Sequence, residues 1–223
     1  MNCKTVLHRP INFYDAMTRL GMIKAIIFDA GGVLVKHKDE DRYDVLIKKL
    51  GIAKTKFNEV KKKYYCDAQK GIISTNDLME KIARDLNLDK EKLSKAWHKA
   101  HTECLLFDKE AFALAASLKK NGYMTALISN AIKLRGYGSE KRDKQIQSGF
   151  DHVIISYKVG TRKPEKKIYE LMLEKLKLKP FECIFLDDRE ENVVVANELG
   201  MTGIVVKSVQ QLKEDLQKLG VKL

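Results

Sequence analysis

Ile26-Ile27-Phe28-Asp29-Ala30-Gly31-Gly32-Val33-Leu34 is the stretch on which the fold turns. The run Ala25–Phe28 is apolar without alternation, the pattern of a strand buried on both faces, as in a parallel sheet. An aspartate ends the run. Two glycines follow, where the backbone can turn tightly and come close to a ligand.

Four further runs of the same kind lie downstream, at Met124–Ile128, Val153–Ile155, Cys183–Leu186 and Ile204–Val206. Helical patterns separate them. Ala111–Lys120 is closed by Asn121-Gly122, and Pro164–Leu178 places proline in a first helical turn. Asn192–Leu199 ends at Gly200 and Val209–Leu219 at Gly220. Strand–helix alternation of this kind predicts an α/β protein with a doubly wound parallel sheet, a Rossmann-like core. Residues 38–107 differ, reading as amphipathic helices with no strand: Tyr43–Leu50, Lys56–Gln69, Asn76–Leu86 and Lys90–Ala100. Thr75 or Asn76 is expected to cap one of them and Asp89 another. The expected organisation is an N-terminal extension (1–21), an α/β core (22–37 and 108–223) and an inserted helical cap (38–107). The extension has basic residues but no continuous apolar stretch, so it is not a secretory signal.

Ligands of open parallel sheets bind at the carboxyl ends of the strands, near the point where strand order reverses. The first strand ends in Asp29 and the second in Ser129-Asn130. The third is followed by Gly160-Thr161-Arg162-Lys163-Pro164, and the fourth ends in Asp187-Asp188. A carboxylate, a hydroxyl, an ammonium and a carboxylate pair suit phosphoryl transfer. The first can be the nucleophile of an aspartyl-phosphate. Charge on the transferred group needs a cation and hydrogen-bond donors around it, for which Lys163 and Ser129 are candidates. Mg²⁺ takes one or two carboxylates plus phosphate, and Asp29 and Asp188 are candidates for those.

These four segments, in this order, resemble the haloacid dehalogenase-like superfamily, in its subgroup with a helical cap after the first motif. IIFDAGGVL resembles its first motif, ALISN its second, KVGTRKPEKKIY its third and FLDDREENVVVANELG its fourth. The resemblance spans Met22 to about Leu219. It implies a Mg²⁺-dependent phosphatase with Asp29 as nucleophile, Ser129 and Asn130 as phosphate-side groups and Lys163 as stabilising cation. It implies Asp187 and Asp188 as the acidic pair at the metal, with Asp188 the nearer ligand. It also implies a mobile cap.

One position departs from the pattern. Most phosphatases of the family carry a second aspartate two residues after the nucleophile, and here that position is Gly31. Its carbonyl can still serve the metal. The missing side chain removes general acid–base help, typically worth about 10²–10⁴ in rate. His37, Lys36 and Asp39 stand just beyond the strand as candidate substitutes. Gly31 also supports a second reading, a phosphate-binding module with weak or no turnover. A 2-haloacid dehalogenase shares the fold and nucleophile but needs no metal, which Asp187-Asp188 argues against.

The bulk composition is compatible with all this. The 223 residues are 44% hydrophobic and 32% charged, with a net charge of +12 and an isoelectric point near 9.4. No run approaches the roughly 20 apolar residues of a membrane span. The basic surface suits small phosphorylated substrates. No module of interleaved basic and aromatic residues points to nucleic acid as partner, and Lys61-Lys62-Lys63 reads as the solvated face of a helix. Cys3, Cys66, Cys104 and Cys183 are scattered, as free thiols of a reducing, cytoplasmic setting are.

Overall fold

The computed structural model describes residues 23–37, 42–103, 105–133, 144 and 146–223. The extension 1–21, Cys3, Cys104, Asp39 and the His37 side chain lie outside the described residues.

The sheet is parallel throughout, in the order β5-β4-β1-β6-β7. Its strands are β1 (Ala25–Phe28), β4 (Met124–Ser129), β5 (His152–Ile155), β6 (Cys183–Asp187) and β7 (Thr202–Val205). β1 is central, and the chain winds out to β5 on one side before returning to β6 on the other. That reversal puts the switch point beside β1. β1 is fully buried because its two faces enter different cores. Ile26 and Phe28 pack with Leu114 and Leu118 of α5 (Lys109–Lys120) and with Leu212 and Leu216 of α9 (Val209–Lys218). Ala25 and Ile27 pack with Ile168 and Met172 of α7 (Lys166–Leu176) and Ala196 of α8 (Glu190–Glu198). Each such Ile or Phe contributes roughly 1.5–3 kcal/mol on burial, which fixes the strand from which the site projects.

Between β1 and β4 stand α1 (Arg42–Leu50), α2 (Lys54–Gln69), α3 (Thr75–Leu86) and α4 (Lys90–Glu103). They build a core of their own around Trp97, Phe57, Leu78, Ile82 and Leu93, which Ile132 joins from the loop after β4. α3 is capped by Ser74, one residue earlier than expected. The Ser74 hydroxyl accepts from the Asp77 amide, and the Asp77 carboxylate accepts from the Ser74 amide in return. Asp89 caps as expected, accepting from the Lys92 amide.

Two features correct the sequence reading. Residues 38–107 do contain a strand. β3 (Leu105–Phe107) pairs antiparallel with β2 (Val35–His37), drawing both ends of the helical block together. Three-residue strands are too short to show a period. Pro164 lies before α7, not in its first turn, and the helix stops at Leu176 where Lys177 takes a left-handed φ of 56°. No helix among the described residues is long and apolar enough to cross a membrane.

Candidate active site

The strand tips converge. Asp29 continues β1, with its amide donating to the Leu186 carbonyl of β6 at 2.8 Å. Lys163 is 1% exposed. Its ammonium donates to Asp29 Oδ1 and, at 2.6 Å, to Asp187 Oδ2. The Asn130 side chain accepts from the Lys163 amide at 2.9 Å and donates to the Lys163 carbonyl at 2.8 Å, so the end of β4 holds the lysine in place. Asp187 Oδ1 accepts from the Asn192 side chain at 2.9 Å and the Arg189 amide at 3.0 Å. Both Asp187 oxygens are thus engaged, and Asp187 acts on Lys163.

The electrostatics follow from burial. Desolvation pushes the Asp29 carboxyl up, to about 7, against the pull of Lys163 and with help from Asp187. Desolvation disfavours the Lys163 charge, but Asp29 and Asp187 outweigh it and hold that ammonium above the ordinary lysine range. Asp188 is exposed, and its carboxyl is also raised, by partial burial and then by Asp187.

Asp29, Asp187 and Asp188 each offer an oxygen within 4.8 Å of the others. Gly32 makes room for this cluster. Its φ is +81°, and a Cβ there would stand 2.2 Å from the Asp188 carboxyl. Asp187 is spent on Lys163, Asn192 and Arg189, so within this cluster it is Asp29 and Asp188, the latter open to solvent and lying against bare backbone, that fit a hard divalent cation.

A cleft of about 540 Å³ opens over these groups. Asp29, Gly31, Ser129, Asn130, Lys163 and Asp188 form its floor, and α2 and the end of α4 its roof. The roof is docked on the core. Gln69 accepts from Arg162 Nε at 2.9 Å and donates to the Asn130 carbonyl at 3.4 Å. Thr75 donates to the Lys133 carbonyl at 2.6 Å, and Lys70 pairs with Glu165. Gly71, with a φ of +71°, lies so near Tyr157 that a Cβ would stand 2.5 Å from its carbonyl oxygen.

A model of the haloacid dehalogenase-like hydrolase family matches residues 23–200. The chain belongs to this family. Bifunctional epoxide hydrolase 2 of Rattus norvegicus is 37% identical over 111 residues, covering 47% of this chain and 20% of that protein. The match thus spans about a fifth of that relative. The D-ribitol-5-phosphate phosphatase of Bacteroides thetaiotaomicron is 27% identical over 195 residues, covering 80% of this chain and 89% of that enzyme. The same bacterium's HAD family enzyme, solved with magnesium and inorganic phosphate, is alike in fold. Its TM-score is 0.64 at 23% identity, over 83% of this chain and 94% of that one.

In this haloacid dehalogenase-like hydrolase the residues read from sequence, Asp29, Gly31, Ser129, Asn130, Lys163, Asp187 and Asp188, meet in one place. Lys36 does not join them, because its ammonium pairs with Asp108 at 2.5 Å. The lysine run is not a uniform solvated face. Lys63 faces Asp85 at 3.7 Å, but Lys61 and Lys62 line the cleft. Sequence reasoning missed Asn192, Arg162 and Gln69. Asn192 stands four residues beyond Asp188, so a helical repeat after the acidic pair would have marked it.

Proposed function

We propose that the protein is a Mg²⁺-dependent phosphohydrolase that forms an aspartyl-phosphate on Asp29 and acts on a small phosphorylated metabolite. The observation that carries this reading is the buried Lys163 ammonium between Asp29 and Asp187, on a floor that Ser129, Asn130 and Asp188 share. Lys163 occupies Asp29 Oδ1 and so orients the other oxygen as the attacking atom. Its charge also offsets that of the incoming phosphoryl group. The Ser129 hydroxyl donates to a phosphoryl oxygen. Asn130 acts through Lys163, since its amide is spent on that residue's backbone. Asp29 and Asp188, with the Gly31 carbonyl, would hold the ion, which would supply charge stabilisation for the transferred phosphoryl group. Residues 38–107 act as the cap that closes over the floor and excludes water.

Hydrolysis requires the alcohol to leave and water to attack. Gly31 offers no side chain for either proton transfer, so turnover should favour esters with good leaving groups. A phosphorylated Asp29 should accumulate, visible as one added phosphate by intact mass after rapid quench. The weaker second reading, phosphate binding without turnover, is favoured by the same glycine.

A panel of phosphomonoesters assayed with and without Mg²⁺, wild type against Asp29→Asn, tests the assignment. Metal-dependent release of phosphate by the wild type alone is expected. Equal activity in both proteins removes Asp29 from its role, and activity indifferent to Mg²⁺ removes the ion.

A further inference from the structure

α2 turns one stripe toward the cleft. Lys61, Lys62, Tyr65, Cys66 and Gln69 fall at helical spacing and all line it. Its acids Glu59 and Asp67 are not among the lining residues. The Lys61 ammonium stands 3.6 Å from the centroid of the Tyr43 ring, which also lines the cleft. The ring face holds that cation in place. Arg162 adds a guanidinium at the edge, steered by its bond to Gln69.

Among the described residues lining the cleft, the carboxylates are Asp29 and Asp188, and both belong to the floor. The floor's own charges are matched locally. Lys163 lies between Asp29 and Asp187, and Arg189 pairs with Glu191 at 2.6 Å. The floor can therefore receive a phosphoryl group and a divalent ion without Lys61, Lys62 or Arg162. Those three residues line the cleft beside the floor, Lys61 with its ammonium over the Tyr43 ring. Basic side chains gathered on one wall of a cleft raise the local concentration of anions, and 540 Å³ is room for a metabolite-sized molecule.

We infer that the substrate is a phosphomonoester whose leaving alcohol carries a second anionic group, carboxylate or phosphate, received by Lys61 and Lys62 with Arg162. The inference rests on the phosphohydrolase reading for the chemistry, but not for the binding.

Two matched pairs of esters test it. 3-Phosphoglycerate against glycerol 3-phosphate probes a carboxylate, and fructose 1,6-bisphosphate against fructose 6-phosphate probes a second phosphate. In at least one pair kcat/KM should favour the partner with the second anionic group by about tenfold, as two partly screened charges allow. The pair that responds names the anion. The double variant Lys61→Gln/Lys62→Gln should abolish that preference, and added salt should erode it. Lys63→Gln, on the lysine that faces Asp85, should leave the ratio unchanged. Calorimetric titration of the same esters into Asp29→Asn reads the preference as affinity, independently of turnover. Hydrolysis with ratios near one in both pairs, or a ratio untouched by the double variant, overturns the inference and leaves the phosphohydrolase reading standing. Selective binding of the esters with a second anionic group, with no hydrolysis by the wild type, supports the inference and overturns that reading.

Discussion

At the floor of the cleft Lys163 is 1% exposed and held between two carboxylates, whereas on the roof Lys62 is exposed and Lys61 leans on the ring of Tyr43. The floor is assembled from the ends of neighbouring strands, whose register fixes the spacing of Asp29, Asn130 and Asp187. The roof is a stripe of α2 with the end of α4, held over the floor by Gln69, Thr75 and Gly71. The floor can tolerate little change because its charges are desolvated. The roof can change its exposed cations at little structural cost, and the proposed choice among substrates would be made there.

The largest expected effect comes from Lys163→Met. It leaves Asp29 and Asp187 buried without their cation, and breaking a buried pair in this way costs about 3–5 kcal/mol. Phosphatase activity should vanish with it. Lys62→Met on the roof should move stability by less than about 0.5 kcal/mol. Denaturant unfolding of the two variants checks the contrast, and equal losses would break it.

Gly31 and Gly32 divide the floor more finely. A Cβ at Gly31 would meet only Asp29 Oδ2, at 3.8 Å, an ordinary contact, whereas one at Gly32 would strike Asp188. Gly31→Asp should therefore fold and restore a proton donor. Turnover of esters with poor leaving groups should rise by about 10²–10⁴. Gly32→Ala should lose both activity and magnesium affinity. A Gly31→Asp enzyme no faster than wild type would mean that another group already moves the proton.

The difference between floor and roof also governs what the sequence discloses. Asp29, Ser129 and Asp187 are legible because a residue that ends a buried strand of a parallel sheet has one place to be, along a single edge, and Lys163 because it stands at a loop-to-helix junction after another such strand. Their chemistry then follows from their order along the chain. Lys61 and Lys62 are not legible, because an amphipathic helix has a polar face whether it meets water or a ligand. Only the docking of α2 tells Lys62 from Lys63. The β2–β3 ribbon escaped for another reason, its strands being too short for alternation to register.

Docking of the roof can be weakened without touching the floor. Gly71→Ala places a Cβ at 2.5 Å from the Tyr157 carbonyl on a backbone with a φ of +71°. Strain of this kind costs about 1–3 kcal/mol. The expected result is a lowered thermal midpoint and a KM that rises more than kcat falls, because the roof is displaced while the catalytic groups stay. A kcat loss with KM unchanged would place Gly71 in the chemistry and not in the docking.

A smaller effect belongs to the seam between the two regions. Asp108 follows β3 and caps α5, accepting from the Glu110 and Ala111 amides at 3.1 and 3.0 Å, while Lys36 of β2 pairs with it. Burial pushes this carboxyl up, but Lys36 and the helix amides pull it further down, so it rests below the usual aspartate range. A depressed folded value means that Asp108 stabilises the protein above the ordinary aspartate pKa of about 4. The contribution is lost as pH falls through the lower folded value. Asp108→Ala should cost about 1 kcal/mol near neutrality, as loss of a helix cap does. The gap between wild type and variant should close on acidification, read by denaturant unfolding at a series of pH values. The preference for esters with a second anionic group should survive the substitution, because the seam carries neither the floor's charges nor the roof's. A preference that fell along with stability would show that the roof depends on this seam as much as on its docking.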